Sequence, residues 1–240
     1  MLKILACTPM YSGIDPLPAY CMRMLWQRIG AEMEKGRYKV KDMVIGPRVP
    51  IRVARNLLCH TAIKAGADRL LMIDDDICYK PDLLDILLAA DKDIVGGLCF
   101  NAKSKPCFFV DDGAGNLIAD PEPPRHGLKQ GFAIGTGAML IKTEVLREMA
   151  APWFYYEKDD NTMDVKFCTD ARRKGFEVWC SGDALLRHMV HGAYSSRLPW
   201  DEQEGLERLD ELNWNDCSRP IACDEPETEL AAYSASAAQR

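Results

Sequence analysis

The segment RLLMIDDD, residues 69–76, constrains the fold of this chain more than any other. Its apolar part is bounded by Gly66 on one side and three carboxylates on the other, too short for a stable helix and the right length for a buried strand. Just upstream, Ile51, Ala54, Leu57, Leu58, Thr61, Ala62 and Ala65 form one apolar stripe behind Pro50, which predicts a helix over 51–65. Just downstream, Pro81 opens a second helix to about residue 90, and 93–100 reads as a strand. The earlier chain repeats the alternation, with a strand over 2–8, a helix over about 19–33 and a strand over 39–45. Strands alternating with helices predict an α/β fold with a mainly parallel central sheet flanked by helices. In such sheets ligands bind outside the carboxyl ends of the strands, which is where Asp74, Asp75 and Asp76 fall.

The pattern loosens after residue 100. Residues 106–110 and 116–118 flank the turn-rich DDGAG and predict a hairpin, a small antiparallel part beside the main sheet. Three prolines within 121–125 require an extended loop. A strand with a glycine-rich entry is expected over 131–141, helices over 143–149 and 162–174, and strands over 176–180 and 184–188.

Composition excludes several classes. With 48% apolar and 28% charged residues the chain is ordinary globular material, neither disordered nor fibrous. No apolar run approaches the roughly 18 residues of a membrane-spanning helix, so no membrane span is expected. The ten cysteines form no CxxC pair and lie mostly in apolar segments such as NLLCHTA and GGLCF, which predicts buried free thiols in a reducing compartment. The net charge of −6 is uneven: 201–229 carries eleven acids against Arg208 and Arg219, a local −9 that leaves the rest at +3. Anionic ligands are therefore compatible with the body of the chain. We expect one domain over 1–199 and an acidic extension over 200–240 that folds over the site as a lid.

Three adjacent carboxylates repel one another, and a hard divalent cation removes that cost while presenting an electrophile to a phosphate. The plainer alternative is an acidic turn capping the helix near Pro81. The wider text ARNLLCHTAIKAGADRLLMIDDDICYKPDLLDILL followed by DKDIVGG resembles the glycosyltransferases of the GT-A fold, especially glycosyltransferase family 2 and its phage-borne relatives. TPMY at 8–11, GTGAMLIKTEVL at 135–146, MDVKFCTDARRKGF at 163–176 and the strand-end His188 extend the resemblance over roughly 3–190.

That resemblance implies a GT-A (Rossmann-like) fold, with a nucleotide-sugar-binding half over 1–100 and an acceptor and catalytic half over 101–199, and a metal-dependent transfer of a sugar from a nucleotide-sugar donor, such as a UDP-sugar, to an acceptor hydroxyl. Asp74 would contact the nucleotide ribose, with Asp75, Thr8, Pro9, Arg55 and Asn56 also on the donor. Asp76 and His188 would hold Mn²⁺ or Mg²⁺ at the diphosphate. Position alone leaves His188 equally a structural histidine. Asp164 would be the catalytic base, although Met163 replaces the acid that usually precedes it, and a helix-start aspartate is the bland alternative. Ile45, Gly46, Pro47 and Arg48 replace the turn that usually holds the base, so the nucleobase stays open. The acceptor is a modified DNA base, a protein or a glycan, and the location cytoplasmic, in the host if the chain is phage-encoded. Trp153, Phe154, Tyr155 and Tyr156 offer an acceptor platform or core packing. Arg52 is a solvated arginine or a phosphate contact, and His60, His126 and His191 receive no role.

Two other readings follow from the residues. Asp74, Asp76 and Cys78 mimic the DxDx[TV] motif of haloacid-dehalogenase phosphatases, with Cys78 where Thr or Val belongs. A non-catalytic nucleotide-sugar-binding module is the second.

Overall fold

The computed structural model describes residues 1–10, 14–45, 49–101, 103–156, 162–190 and 193–194. Gly46 to Arg48, Asp159, Asp160, His191 and the acidic extension with its expected lid role lie outside the described residues.

The chain opens with β1 (Leu2–Pro9), α1 (Pro16–Glu34), β2 (Tyr38–Ile45), α2 (Ile51–Lys64) and β3 (Arg69–Ile73). It continues through β4 (Ile77–Cys78), α3 (Leu83–Ala90), β5 (Ile94–Leu98), β6 (Phe108–Asp111) and β7 (Leu117–Ala119). Then come β8 (Leu128–Gly131), β9 (Ala133–Ile134), β10 (Ala138–Lys142), α4 (Thr143–Glu148) and α5 (Met163–Arg173). β11 (Val178–Leu185), β12 (Arg187–Val190) and β13 (Ala193–Tyr194) complete the described elements. α1 starts three residues earlier than its apolar spacing predicts, because Pro16 and Pro18 occupy the first turn, where a missing amide costs nothing.

A seven-stranded sheet in the order β2-β1-β3-β10-β5-β11-β8 forms the centre. It is an α/β Rossmann-like sheet, but the expectation of a mainly parallel one is corrected. β1 is parallel to β2 and β3, and β11 to β5, whereas β10 runs antiparallel to both β3 and β5, and β8 antiparallel to β11. The cause is connectivity: β10 is reached through the short-strand region after residue 100 and not through a crossover helix, so nothing forces it parallel. The predicted strand over 131–141 is likewise divided. β8 pairs with β11, β9 with β6, and β10 with β3 and β5, with the Gly135–Thr136–Gly137 stretch turning the chain between sheets. The two strands predicted over 176–188 run as β11, which carries an irregularity between Ser181 and Leu185, and then β12. The hairpin prediction holds, as β6 and β7 pair antiparallel and join β9 in a three-stranded sheet.

The central strands are buried on both faces, and the two-residue period assigns each side chain to a layer. Leu70 and Met72 of β3, with Met139 and Ile141 of β10, pack with Leu58 and Cys59 of α2 and with Phe167 of α5. Leu71 and Ile73, with Ala138 and Leu140, pack on the opposite side with Cys21, Leu25 and Ile29 of α1 and Leu83, Leu84 and Leu87 of α3. β3 is thereby immobilised between two hydrophobic layers, and its carboxyl end is a rigid platform for the three aspartates. The eight cysteines of the described residues are all free, and seven are buried, as the sequence predicts.

Candidate active site

Beyond Ile73 the chain passes through Asp74, Asp75 and Asp76 into β4, and two main-chain bonds fix the turn. The Asp74 amide donates to the Gly137 carbonyl at 3.0 Å, and the Met189 amide donates to the Asp76 carbonyl at 2.8 Å. Gly137 suits this approach, since a Cβ there would stand 3.3 Å from Ile77 Cδ1. β12 pairs with β4 in the register Arg187↔Cys78 and His188↔Ile77. That pairing brings His188 Nε2 to 2.7 Å from Asp76 Oδ2. The Asp76 hydrogen bond outweighs partial burial and raises the His188 pKa above its ordinary value.

A second cluster lies beside this pair. Arg55, on the first turns of α2, has only 7% of its side chain exposed. Its Nη2 donates to both Asp74 oxygens at 3.1 and 3.2 Å, and its Nη1 donates to Asp164 Oδ1 at 2.6 Å. Asp164 Oδ2 accepts from the Thr136 amide at 3.3 Å and from its hydroxyl at 3.2 Å. One guanidinium therefore bridges two carboxylates from different elements, with a separate nitrogen of its planar fork directed at each. Burial alone would lower the Arg55 pKa, but Asp74 and Asp164 outweigh it and keep the group charged. Burial, opposed by Arg55 and reinforced by the Asp164 and Asp76 charges, raises the Asp74 carboxyl to about 6. Sequence reasoning missed Thr136, which is only 1% exposed: the flanking glycines drew attention, and nothing local ties a threonine to an aspartate 28 positions away.

Asn56, next to Arg55, faces a different partner. Its Oδ1 accepts from the Trp153 and Phe154 amides at 2.8 and 3.2 Å, and its Nδ2 donates to the Phe154 and Arg52 carbonyls at 2.7 and 2.8 Å. Both acceptor and both donor positions of the amide are used, so a nucleotide contact by Asn56 would have to displace one of these bonds. The segment it holds leads toward α5 and Asp164. Phe154 stacks on Phe167 at 4.6 Å and Trp153 meets His60 edge-on at 4.7 Å, so these two aromatics serve the core. Tyr155 donates to Asp170 at 2.8 Å, and Tyr156 is 59% exposed.

The remaining expected residues divide. Pro9 with Met10, Val49 and Ile51 forms the apolar wall of a cleft of about 250 Å³ whose polar floor is Arg55 and Asp74 to Asp76. A cleft lined by both apolar and charged groups suits a ligand with one flat apolar end and one anionic end. Thr8, buried on β1, is not among the residues that line this cleft. The structure thus brings Asp74, Asp75, Asp76, Arg55 and Pro9 to one cleft, with His188 and Asp164 each one contact away.

The metal expectation is tested by the donors present. Among the described residues no group of three or more His, Cys, Asp or Glu side chains converges in a way that could hold an ion. Asp76 and His188 are a pair, 44% and 32% exposed, with Asp74 drawn away by Arg55. The protein thus offers one carboxylate and one imidazole, now in contact with each other, and an ion held there would need its remaining positions filled by ligand oxygens and water.

No protein-family model matches the sequence, and no curated protein matches it. Solved structures do resemble it in fold. A197 from STIV superposes with a TM-score of 0.56 at 15% identity, over 80% of this chain and 87% of that one. GalNAc-T7, crystallised with UDP, GalNAc and Mn²⁺, superposes with a TM-score of 0.52 at 11% identity, over 87% of this chain and 48% of that one. This chain thus spans about half the length of the GalNAc-T7 chain. At such identities the likeness speaks of fold alone: the chain has a GT-A/Rossmann-like fold.

Proposed function

We propose that the protein is a metal-dependent glycosyltransferase that takes a nucleotide-sugar donor, with UDP as the first nucleotide to test. The observation that carries the proposal is the cleft floor: an Asp76–His188 pair at 2.7 Å beside a buried arginine bridging Asp74 and Asp164. The apolar residues Pro9, Met10, Val49 and Ile51 accommodate the nucleobase, and Asp74 and Asp75 belong to the ribose side, with Thr8 supporting them from β1 without lining the cleft. Asp76 and His188 would hold Mn²⁺ or Mg²⁺, which supplies charge stabilisation of the departing diphosphate when bound. Arg55 adds a fixed positive charge beneath the same oxygens. Asp164 receives the proton of the acceptor hydroxyl once its contact with Arg55 loosens, and the Thr136 hydroxyl keeps the carboxylate oriented meanwhile. The superposition on GalNAc-T7 supports the reading at the level of fold. The acceptor hydroxyl belongs to a modified DNA base, a protein or a glycan. The free thiols favour the cytoplasm, and among the described residues no helix is long and apolar enough to cross a membrane.

The deciding experiment follows hydrolysis of UDP-sugars with Mn²⁺ by the wild type and by Asp76→Ala. Hydrolysis of one donor, lost in the variant, supports the proposal; equal turnover by both overturns it. A second reading, binding without transfer, is favoured by one observation: both Asp164 oxygens are already engaged by Arg55 and Thr136. Donor hydrolysis unchanged in Asp164→Asn would favour it. The phosphatase reading has no such observation in its favour, since Cys78 stands where its motif needs Thr or Val and the Asp74 strand is not the first of the chain.

A further inference from the structure

Two thiols outside the carboxylate cluster stand opposite each other. β5 runs past Leu98 to Cys99, and the chain returns through an antiparallel bridge between Phe100 and Pro106. The Asn101 amide donates to the Lys105 carbonyl at 2.9 Å and the Cys107 amide to the Cys99 carbonyl at 2.8 Å, so Cys99 and Cys107 are directly opposed. Directly opposed residues of an antiparallel pair project to the same side, with Cα atoms about 5.5 Å apart when main-chain bonds join them, a spacing that a disulfide spans. The two thiols are close enough for each to perturb the other's titration. Cys99 is 9% exposed and Cys107 is half-buried, so a small reagent meets Cys107 first.

We propose that Cys99 and Cys107 form a reversible redox pair, closed to a disulfide by a small-molecule disulfide such as oxidised glutathione. The Cys107 thiolate attacks one sulfur of glutathione disulfide, the S–S bond breaks, and one glutathione leaves as a thiolate that takes up a proton. Cys99 then attacks the Cys107 sulfur of the mixed disulfide, and the second glutathione leaves in the same way. Two protein thiols are oxidised to one disulfide, one glutathione disulfide is reduced to two thiols, and the two cysteine protons end on them. The interaction with Cys99 favours this order, since it holds the Cys107 thiol below its ordinary pKa against the effect of burial.

The pair bears on the carboxylate cluster through one strand. The Gly135 amide donates to the Cys107 carbonyl at 2.8 Å, a Cβ on Gly135 would stand 3.1 Å from Cys107 Cβ, and the next residue, Thr136, holds Asp164. Closing the disulfide ties the end of β5 to the segment against which Gly135 and Thr136 are registered. The proposal does not depend on the transferase reading, because it is read from the thiols themselves.

The full-length protein is incubated in glutathione redox buffers, quenched with iodoacetamide, and mapped by tryptic peptides. Cleavage after Lys103 separates the two cysteines onto different peptides. The expected result is a Cys99–Cys107 cross-linked peptide pair, two hydrogens lighter than the thiols, that dithiothreitol reverses. Cys21 and Cys78 also interact but are 4% and 0% exposed, so they stay reduced in the same sample. In Cys99→Ser, the expected product is a stable glutathione adduct on Cys107. A persistent glutathione adduct on wild-type Cys107, a cross-link from Cys107 to a different cysteine, or two alkylated thiols under fully oxidising buffer would each overturn the proposal.

Discussion

Replacing Arg55 by methionine tests whether the Asp74–Arg55–Asp164 bridge organises the site. The guanidinium is 7% exposed, and its two carboxylate partners are 26% and 19% exposed, so water replaces little of what it supplies. Methionine fills much of the volume but leaves two acids facing each other without their cation. Removing one partner of a buried ion pair typically costs about 3–5 kcal/mol, chiefly because the remaining charge is left uncompensated. For a domain of this size that corresponds to a fall in Tm of about 6–20 °C, at roughly 2–4 °C per kcal/mol. Urea denaturation followed by tryptophan fluorescence at pH 8 measures it, with an unchanged slope showing that the unfolding reaction is the same. Arg55→Met/Asp74→Asn/Asp164→Asn removes the stranded charges and is expected to recover at least half of the loss. A loss of less than about 1 kcal/mol in the single variant, or no recovery in the triple, would refute the reasoning, because the cost would not then come from paired charge.

Three further outcomes follow from other parts of the structure. Asn56→Ala leaves the Trp153 and Phe154 amides without their acceptor and is expected to cost about 2–6 kcal/mol, an unfilled buried donor costing about 1–3 each, as read from the urea midpoint. Gly182→Ala puts a Cβ 2.3 Å from the Pro124 carbonyl oxygen and 2.7 Å from His126 N, all main chain, so circular-dichroism melts should show a loss of about 1–3 kcal/mol. Burial works against the Asp170 carboxylate, but Lys166 and Tyr155 outweigh it and hold its pKa below the ordinary value. A depressed acid contributes stability above its unfolded pKa of about 3.9 and loses it as pH falls through the folded value. Asp170→Asn is therefore expected to be less stable than wild type at pH 7, with the difference shrinking below about pH 4 in urea titrations.

The local part of the architecture was legible because it depends on local patterns. The stripe over 51–65, the apolar run ending in three aspartates, the hairpin around DDGAG and the buried thiols all recur in the structure. Strand direction was not legible, since β10 is as apolar as a parallel strand and its antiparallel course is decided by which neighbours accept it. The division of 131–141 into three strands depends on Gly135 and Gly137 packing against Cys107 and Ile77, contacts made across the fold. In the candidate site the residue types were legible and their partners were not. Arg55 and Asn56 stand side by side in sequence, yet one bridges two carboxylates and the other clamps the backbone of 153–154. Successive helix positions point about 100° apart, so adjacent residues of one motif serve different neighbours. The Asp76–His188 contact spans 112 positions, and only the β4–β12 register creates it.

The central claim is that the Asp76–His188 pair binds a nucleoside diphosphate through a divalent ion. Isothermal titration of UDP into the protein with Mn²⁺, with EDTA, and into Asp76→Ala with Mn²⁺ tests it most directly. The account predicts binding with Mn²⁺ that weakens at least tenfold, about 1.4 kcal/mol, both in EDTA and in the variant. UDP binding of equal strength in all three titrations, or none of any nucleoside diphosphate with Mn²⁺ present, would contradict it.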